Sequence, residues 1–316
     1  MTLRIGTRGS QLALYQANAV AALLQERTQT ACEIVIIRTS GDRLSEASLS
    51  QIGGTRLFVK EIEDALLAGD VDLAVHSSKD MPAALPDGLE IAAVLPREDA
   101  RDAIVLPVGK SQIPNPESQT LRIGTSSVRR IAQLIRLYPG ATFLPIRGNL
   151  DTRLRKVDSG EFDAIVLASA GLRRLGFADR ISTAVPIADC VPAPGQGIIA
   201  VEIRSGDRRT ASVVGRLNDP DAGVALDAER AVVRRLGGGC QMPIGAYASV
   251  SAHDIRMTAI VISLDGARAV RAEAAGRASD AARVGVDAAE RLLAQGASAI
   301  LAEVERANAA VEGLQP

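Results

Sequence analysis

The feature of this chain that most restricts its fold is an internal repeat. The pentapeptide LRIGT occupies residues 3–7 and returns unchanged at residues 121–125. In each copy an apolar segment of strand type ends in Gly-Thr and is followed by a pattern of helical period. Ser10 precedes the first helical pattern, and Ser126 and Ser127 precede the second, at positions where a serine side chain can cap a helix.

The order of the predicted elements is repeated as well. A second strand is predicted at 33–42 and at 142–151, and each of these segments contains an arginine at the strand end. A helix and a third strand follow in both copies, at 64–80 and at 153–172. Strands that alternate with helices form a mainly parallel sheet. We therefore predict two related α/β lobes, because a duplicated architecture explains this order better than a chance match does.

Two extended segments rich in proline or glycine, within 93–109 and 190–204, predict two crossings between the lobes. We expect a pair of hinged lobes with parallel-rich sheets, like those of periplasmic binding proteins, followed by a small C-terminal α+β domain. Within that domain, residues 277–310 predict one long alanine-rich helix. The predicted boundaries are 1–97 with 198–216 for lobe one, 104–190 for lobe two, 98–103 and 191–197 for the hinge segments, and 220–310 for the C-terminal domain.

Composition limits the classes of partner. The 36 Lys and Arg residues nearly balance the 37 Asp and Glu residues, whereas a DNA-binding protein normally has a basic excess. Aromatic residues make up only 2%, so base-stacking surfaces and a nucleic-acid partner are not expected. The N-terminus has no signal-peptide pattern and no apolar run approaches the roughly 20 residues of a membrane span, so we expect no membrane partner. Three widely spaced cysteines favour a reducing compartment, hence the cytoplasm.

The predicted strand ends collect many cationic and hydroxyl side chains. Ligands of open parallel sheets bind at the carboxyl ends of the strands, and the arginine fork matches a carboxylate or a phosphate. The residues placed there are Arg8, Ser10, Arg38, Ser77, Lys79 and Asp80 in lobe one, and Thr125, Ser126, Ser127, Arg129, Arg130, Arg147, Asn149, Arg153, Arg173 and Arg174 in lobe two. We predict a site for a small polyanion between the lobes. The alternative for any one arginine is a solvated surface charge or an ion-pair partner.

Three further residues have two interpretations each. Asp80, in VHSSKDMP, is either a turn residue or an ionised carboxylate that stabilises a developing cation. Cys240, in LGGGCQMPIG, is either a reactive thiol in a glycine loop or a small buried turn residue. His76 is expected to be a hydrogen-bonded structural residue rather than a base. The sequence contains neither a Cys-x-x-Cys pair nor a histidine cluster, so no metal site is expected.

The strings HSSKDMP, GTSSVRR, IRGNLDTRL, PAPGQG and LGGGCQMPIG resemble the signature segments of the porphobilinogen deaminase family, also called hydroxymethylbilane synthases. The resemblance extends from about residue 3 to about residue 305 in the order of the family. It implies a monomeric transferase of tetrapyrrole (haem) biosynthesis. Such an enzyme condenses four porphobilinogen molecules head to tail into hydroxymethylbilane and releases four ammonia molecules.

The resemblance also implies the roles of particular residues. Cys240 would carry a dipyrromethane cofactor through a thioether bond, Asp80 would be catalytic, and Phe58 would belong to a lid over the site. Carboxylates of cofactor and substrate would be bound by Arg8, Arg129, Arg130, Arg147, Arg153 and Arg174, with hydrogen bonds from Ser10, Ser77, Lys79, Thr125, Ser126, Ser127 and Asn149. The chain departs from many members at Gln11, where they place proline, and at Gln51 and Thr55, where some carry lysine. The last two departures put a lid lysine in doubt.

Two other functions stay open on the residues alone. Two hinged α/β lobes also describe a non-catalytic solute receptor, although such a receptor does not require a cysteine in a glycine loop. The segment SSVRRIAQLIRLY suggests a helix-turn-helix regulator, against which the balanced charge counts.

Overall fold

Three β-sheets organise the residues that the computed structural model describes, which are 2–40, 59–113, 121–239 and 242–312. The strands are β1 (Thr2–Thr7), β2 (Ala31–Ile36), β3 (Leu73–Ser77), β4 (Leu89–Val94), β5 (Asp102–Val105), β6 (Arg122–Gly124), β7 (Thr142–Leu144), β8 (Ala164–Ala168), β9 (Thr183–Ala184), β10 (Ile199–Arg204), β11 (Ile244–Ser251), β12 (Asp254–Ile262) and β13 (Ala269–Arg277). The helices are α1 (Gln11–Thr28), α2 (Lys60–Ala68), α3 (Val128–Leu134), α4 (Leu150–Asp158), α5 (Ser169–Arg174), α6 (Arg208–Val214), α7 (Pro220–Leu236), α8 (Ala281–Ala294) and α9 (Ala297–Glu312).

The first two sheets have the same topology, which confirms the predicted duplication. The first sheet has the order β2-β1-β3-β10-β4 and the second has the order β7-β6-β8-β5-β9. In both sheets the first three strands are parallel neighbours, and one antiparallel strand, β10 or β5, separates them from the edge strand, β4 or β9. The mainly parallel prediction is confirmed for the first three strands of each half. The antiparallel strand was not predicted, because β10 and β5 each enter their sheet from the other half of the chain.

The duplication extends to side-chain detail. In β1 the guanidinium of Arg4 donates to the Asp72 carboxylate at 2.9 Å and to the Gly69 carbonyl at 2.7 Å. In β6 the equivalent Arg122 donates to Asp163 at 3.1 Å and to the carbonyl of residue 160 at 2.9 Å. Each arginine therefore ties the start of its strand to the turn before the third strand. This shared contact explains why the arginine belongs to the repeated pentapeptide.

The helices of the first two sheets begin where the serines predicted. The Ser10 hydroxyl accepts a bond from the Ala13 amide at 3.3 Å and caps α1. The Ser127 hydroxyl accepts from the Arg130 amide at 3.4 Å and caps α3. The inner face of α1 packs Ala17, Val20 and Leu24 on the first sheet, and each of these side chains is fully buried. Burial of that stripe fixes the start of α1, and with it the position of Ser10.

The third sheet, with the order β11-β12-β13, packs against α7 and α8. A Cβ atom added to Gly285 of α8 would lie 2.1 Å from the Ala228 carbonyl oxygen of α7, so glycine permits the close approach of the two helices. The prediction of one helix over 277–310 is wrong. The chain instead forms β13 up to Arg277 and then α8 and α9, with Gly296 between them at a φ of +97°. A backbone with this positive φ cannot continue an α-helix, so the first helix ends here. Glycine occupies the position because a side chain would be strained in this conformation.

Two connections join the first two sheets. The first connection, residues 95–101, leads from β4 to β5, and the second connection, residues 185–198, leads from β9 to β10. They meet where the Glu98 amide donates to the Gly197 carbonyl at 3.0 Å. Gly197 has a φ of +88°, and an added Cβ atom would lie 2.3 Å from the Glu98 oxygen. Glycine is therefore required where the two connections touch. Among the described residues, no helix is both long enough and apolar enough for a membrane span.

Candidate active site

A pocket opens at the carboxyl ends of β1 and β3, beside the start of α1. Its polar lining includes Arg8, Ser10, Gln16, Ser77 and Asp80. The Gln16 amide donates to the Ser77 hydroxyl at 2.8 Å and thereby holds the end of β3 against α1. Asp80 closes the 3₁₀ turn Ser78–Asp80 that follows β3. The structure thus brings four predicted site residues of the first lobe into one pocket, in agreement with the strand-end prediction.

His76, which also lines this pocket, is buried in β3. Its Nε2 atom lies 3.1 Å from an oxygen of Glu202, which is fully buried in β10. The prediction that His76 is a hydrogen-bonded structural residue is confirmed for the hydrogen bond. This contact links β3 to the strand that returns from the second connection.

Cationic side chains from both lobes surround Asp80. Loss of hydration lowers the pKa of Lys79 to about 8; Asp80 opposes that shift, and Arg130 adds to it. Loss of hydration, together with the neighbouring charges of Arg130 and Arg147, lowers the pKa of Arg153 to about 10, and Asp80 opposes that shift. The negative charge of Asp80 therefore interacts with Lys79 of the first lobe and with Arg153 of the second lobe. These two interactions bring one predicted cation from each lobe to Asp80.

A second cluster lies between the two connections and is buried. Asp102, fully buried at the start of β5, accepts from the Arg130 Nε at 2.9 Å and forms an ion pair with the Arg129 Nη2 at 2.8 Å. Burial opposes ionisation of Asp102, yet the two guanidinium groups hold the pKa of its carboxyl well below the usual range. Arg129 also donates to the Val191 carbonyl at 2.7 Å, and Arg130 donates to the Val166 carbonyl at 3.0 Å. We name Asp102, Arg129, Arg130 and Gln196 the connection cluster.

Gln196 joins this cluster to the pocket. Its side-chain amide donates to Asp102 at 2.9 Å and to the Ala100 carbonyl at 2.7 Å, while its oxygen accepts from the Lys79 ammonium at 3.5 Å. Cys190 is also buried here, with its Sγ 3.4 Å from Asp102, and burial raises the pKa of the thiol to about 12. Cys190 is therefore a protonated structural thiol.

The remaining predicted residues have diverse local roles. The Ser126 hydroxyl donates to the Ile146 carbonyl at 2.9 Å, and the buried Thr125 accepts from the Ser127 amide at 3.3 Å. Arg174 donates to the Gly197 carbonyl at 2.6 Å, and burial lowers its pKa. Asn149 is exposed at the N-terminus of α4, and its side chain makes no capping bond there. These contacts position the loops of the second lobe, and the roles of these residues in binding stay predictions.

Two predicted positions do not lie near a buried ligand site. Arg38 is exposed after β2, and the exposed Arg173 lies 3.7 Å from Asp99 as an ion-pair partner. For Arg173 the ion-pair alternative describes the structure. Phe58, Gln51, Thr55 and Cys240 lie outside the described residues, so their roles in the lid and in cofactor attachment stay predictions.

Sequence reasoning missed Asp102, Gln196 and Gln16. Asp102 stands 27 positions before the nearer of its two arginines, and nothing in the string REDARDAIV distinguishes it from its acidic neighbours. Gln196 lies in PAPGQG, where the surrounding proline and glycine indicated only a crossing. A glutamine within the apolar stripe of α1 was the available signal for Gln16, because a buried amide requires a polar partner.

The donors of the pocket fit a dipyrromethane with acidic side chains. Arg8 and Ser10 line the pocket and supply donors, and Lys79 and Arg153 interact electrostatically with Asp80 in its lining. The repulsion among Arg130, Arg147 and Arg153 lowers the Arg153 pKa, and bound carboxylates would relieve it. An organic polyanion is therefore the ligand class that this set of charges suits.

Family models and curated relatives match this chain along nearly its whole length. Residues 3–212 match the family model described as "Porphobilinogen deaminase, dipyromethane cofactor binding domain", and residues 224–294 match "Porphobilinogen deaminase, C-terminal domain". A porphobilinogen deaminase of Syntrophobacter fumaroxidans is 46% identical over 96% of this chain and 98% of its own. One of Geobacter metallireducens is 45% identical over 98% of this chain and 97% of its own. The solved periplasmic VFT2 domain of Bordetella pertussis BvgS aligns at 19% identity with a TM-score of 0.42, over 68% of this chain and 86% of its own.

Proposed function

The chain belongs to the porphobilinogen deaminase family, and on that premise we propose how its residues carry out the reaction of the family. The enzyme is a transferase that condenses four porphobilinogen molecules head to tail into hydroxymethylbilane and releases four ammonia molecules. The observation that supports the residue roles is the convergence of cations from both lobes on one carboxylate. Lys79 and Arg153 both interact electrostatically with Asp80.

The cationic side chains bind the substrate by its acids. Porphobilinogen has two carboxylates, so every condensation adds two negative charges to the site. Arginine presents parallel N–H donors that match a carboxylate, and each such bond is worth about 1.5–3 kcal/mol. Arg8 serves from the first lobe, and Arg147 and Arg153 serve from the second. The charges from the two lobes thus hold the acids of cofactor and substrate on either side of Asp80.

Asp80 interacts with the positive charge that forms during the reaction, whereas the arginines bind the carboxylates of the substrate. Loss of ammonia from porphobilinogen leaves a delocalised cation on the pyrrole, and that cation must form among guanidinium groups that repel it. An ionised Asp80 stabilises the positive charge as it develops, and such fixed electrostatic groups accelerate reactions because they need no reorganisation. Asp80 is therefore the catalytic residue in this proposal. The backbone bond from Met81 N to Ser78 O, 3.2 Å long, keeps its turn in place.

The dipyrromethane cofactor, when bound, supplies the acceptor end from which the chain grows. Arg147, Arg153, Lys79 and Ser10 would hold its carboxylates, and the thiolate of Cys240 would anchor it from the glycine loop after α7. The two arginines of the connection cluster fill most of their hydrogen-bonding capacity within the protein. Their predicted contact with the cofactor would use their remaining N–H groups.

The two connections and the predicted division into lobes support a hinge. With boundaries of 1–97 and 198–216 for lobe one, 104–190 for lobe two and 220–310 for the third domain, the chain crosses the cleft at 98–103 and 191–197. Rotation about these crossings would make room for a growing product. The cysteine usage supports the cytoplasm, and the balanced charge argues against a nucleic-acid partner. The monomeric state is proposed from the resemblance to the family alone.

Intact-mass spectrometry with a porphobilinogen assay tests the function. The wild-type protein is expected to be heavier than its sequence by one dipyrromethane and to form hydroxymethylbilane. Cys240→Ser should lose both the added mass and the activity. Cys32→Ser is the matched control, because Cys32 is a half-buried thiol in β2, away from the pocket. An unmodified protein with full activity would refute the tethered primer.

A further inference from the structure

The connection cluster has a geometry that anion binding alone does not explain. Asp102 is the shared acceptor of two arginines that both come from the first turn of α3. It stands at the first residue of β5, directly after the first connection. Gln196, in the second connection, donates to the same Asp102 oxygen that Arg130 contacts. One carboxylate therefore holds together both connections and the helix start of the second lobe.

The Gln196 side chain links the cluster by hydrogen bonds to the turn that carries Asp80. Gln196 is 1% exposed, so its amide has no solvent alternative to its protein partners. Its nitrogen is committed to Asp102 and the Ala100 carbonyl, which leaves its oxygen oriented toward the Lys79 ammonium. Lys79 is the residue next to Asp80 in the same 3₁₀ turn. The path from Asp102 to the catalytic carboxylate therefore passes through Gln196 and Lys79.

Resting on the proposed function, we propose that Asp102 is a positioning residue for the condensation. Its carboxylate fixes Arg129 and Arg130 in the second lobe and screens their charge from Lys79, and Gln196 aligns Lys79 beside Asp80. Asp102 itself touches no substrate in this proposal. Its effect on the reaction is exerted through the position and the charge of Lys79.

The charges around Lys79 determine the sign of the effect. Asp80 from its own turn and Asp102 from β5 favour the ammonium form, whereas Arg129 and Arg130 from α3 oppose it. With Asp102 neutralised, two guanidinium charges would face Lys79 unscreened, so its ammonium would lose its proton at a lower pH. In the ligand-free site the pKa of Lys79 is about 8, and bound carboxylates would raise it, so kcat should decline only above that pH as the ammonium is lost.

The test is the pH profile of kcat for Asp102→Asn, which keeps the shape of the side chain and removes its charge. The alkaline limb should move down by about one pH unit, which lowers kcat about fivefold relative to the wild-type enzyme at the pH where the wild-type limb is half complete. Lys79→Arg assigns the limb, because a guanidinium stays charged throughout this range and the limb should disappear. A limb that persists in Lys79→Arg would overturn the inference.

Glu229→Gln is the matched control for lost stability. Glu229 is also a fully buried carboxylate near a connection, where it binds Arg97 at 2.5 Å and the Gly195 amide at 2.6 Å. It should lower Tm as Asp102→Asn does and leave the alkaline limb in place. If both variants moved the limb equally, loosened connections would explain the result and Asp102 would have no specific role.

Gln196→Met is the second variant, to be measured if Asp102→Asn does not fold. This change retains the volume and leaves the ion pairs of Asp102 intact, but it removes one acceptor of Lys79 and the amide donor to Asp102 and Ala100. The limb should shift down by about half a pH unit, and an unshifted limb would contradict the alignment. Failure of the wild-type protein to make hydroxymethylbilane would instead refute the proposed function itself. A wild-type enzyme that works, with variants that behave like Glu229→Gln, would refute only the role of Asp102.

Discussion

Replacement of Asp80 by asparagine should abolish most of the catalysis and leave the fold intact. Asparagine has nearly the same shape, and the turn at Ser78–Asp80 is closed by a backbone bond rather than by the Asp80 side chain. What the variant loses is one unit of negative charge in the middle of a cationic pocket. The expected result is therefore a change in rate with little change in Tm.

The size of this change follows from Coulomb's law. A carboxylate about 4 Å from a unit positive charge contributes about 4 kcal/mol at the effective dielectric constant of about 20 that suits a half-buried site. Each 1.36 kcal/mol of activation free energy is about tenfold in rate, so the loss corresponds to about 10³-fold in kcat. Partial protein relaxation would reduce the effect toward about 10²-fold, which is the range for a lost electrostatic group in an oxyanion hole.

The assay is a single-turnover measurement of ammonia release, with rates expressed per molecule that carries the cofactor by intact mass. Asp87→Asn is the control, because Asp87 is an exposed carboxylate in the loop before β4 and should keep the wild-type rate. A decrease of less than tenfold in Asp80→Asn would refute the assignment of Asp80 as the stabiliser of the developing cation. A large fall in Tm would show instead that Asp80 is the turn residue of the alternative interpretation.

Two further changes test the anion site and the connections. Arg153→Gln should raise KM for porphobilinogen about 10- to 100-fold, because one charge-assisted bond to the substrate is lost. The Tm of the cofactor-free protein should not fall, because repulsion from Arg147 is relieved. An unchanged KM would exclude a contact between Arg153 and the substrate. Gly197→Ala should destabilise the fold by about 1–3 kcal/mol more than Gly206→Ala, measured by denaturant unfolding. Both glycines have a positive φ, but an added Cβ meets the Glu98 oxygen only at Gly197 and meets nothing within 4 Å at Gly206. Equal losses would contradict the tight contact of the connections.

The duplicated lobes could be predicted because the repeat is local. LRIGT specifies a strand, a turn and a helix start within a few residues, and the serines after it cap α1 and α3 as expected. The strand-end rule then placed Arg8, Ser77 and Asp80 at one edge, which the structure confirms. Hydrophobic periodicity and helix capping depend on residues only a few positions apart, so both can be recognised in the sequence.

The connection cluster could not be predicted because it depends on contacts between distant segments. Arg129 and Arg130 have the pattern expected of anion-binding residues at a helix start, and only the fold shows that Asp102 occupies both of them. The split of the predicted C-terminal helix at Gly296 has a different reason. Alanine-rich sequence favours helix on both sides of a single glycine, so the break became evident only from its backbone conformation.

A crystal structure of the enzyme with its tethered dipyrromethane would test the central claim most directly. Acetate and propionate groups are expected within hydrogen-bonding distance of Arg147, Arg153 and Lys79, with Asp80 facing the pyrrole nitrogens. Carboxylates bound elsewhere, or an Asp80 side chain turned away from the rings, would contradict that claim.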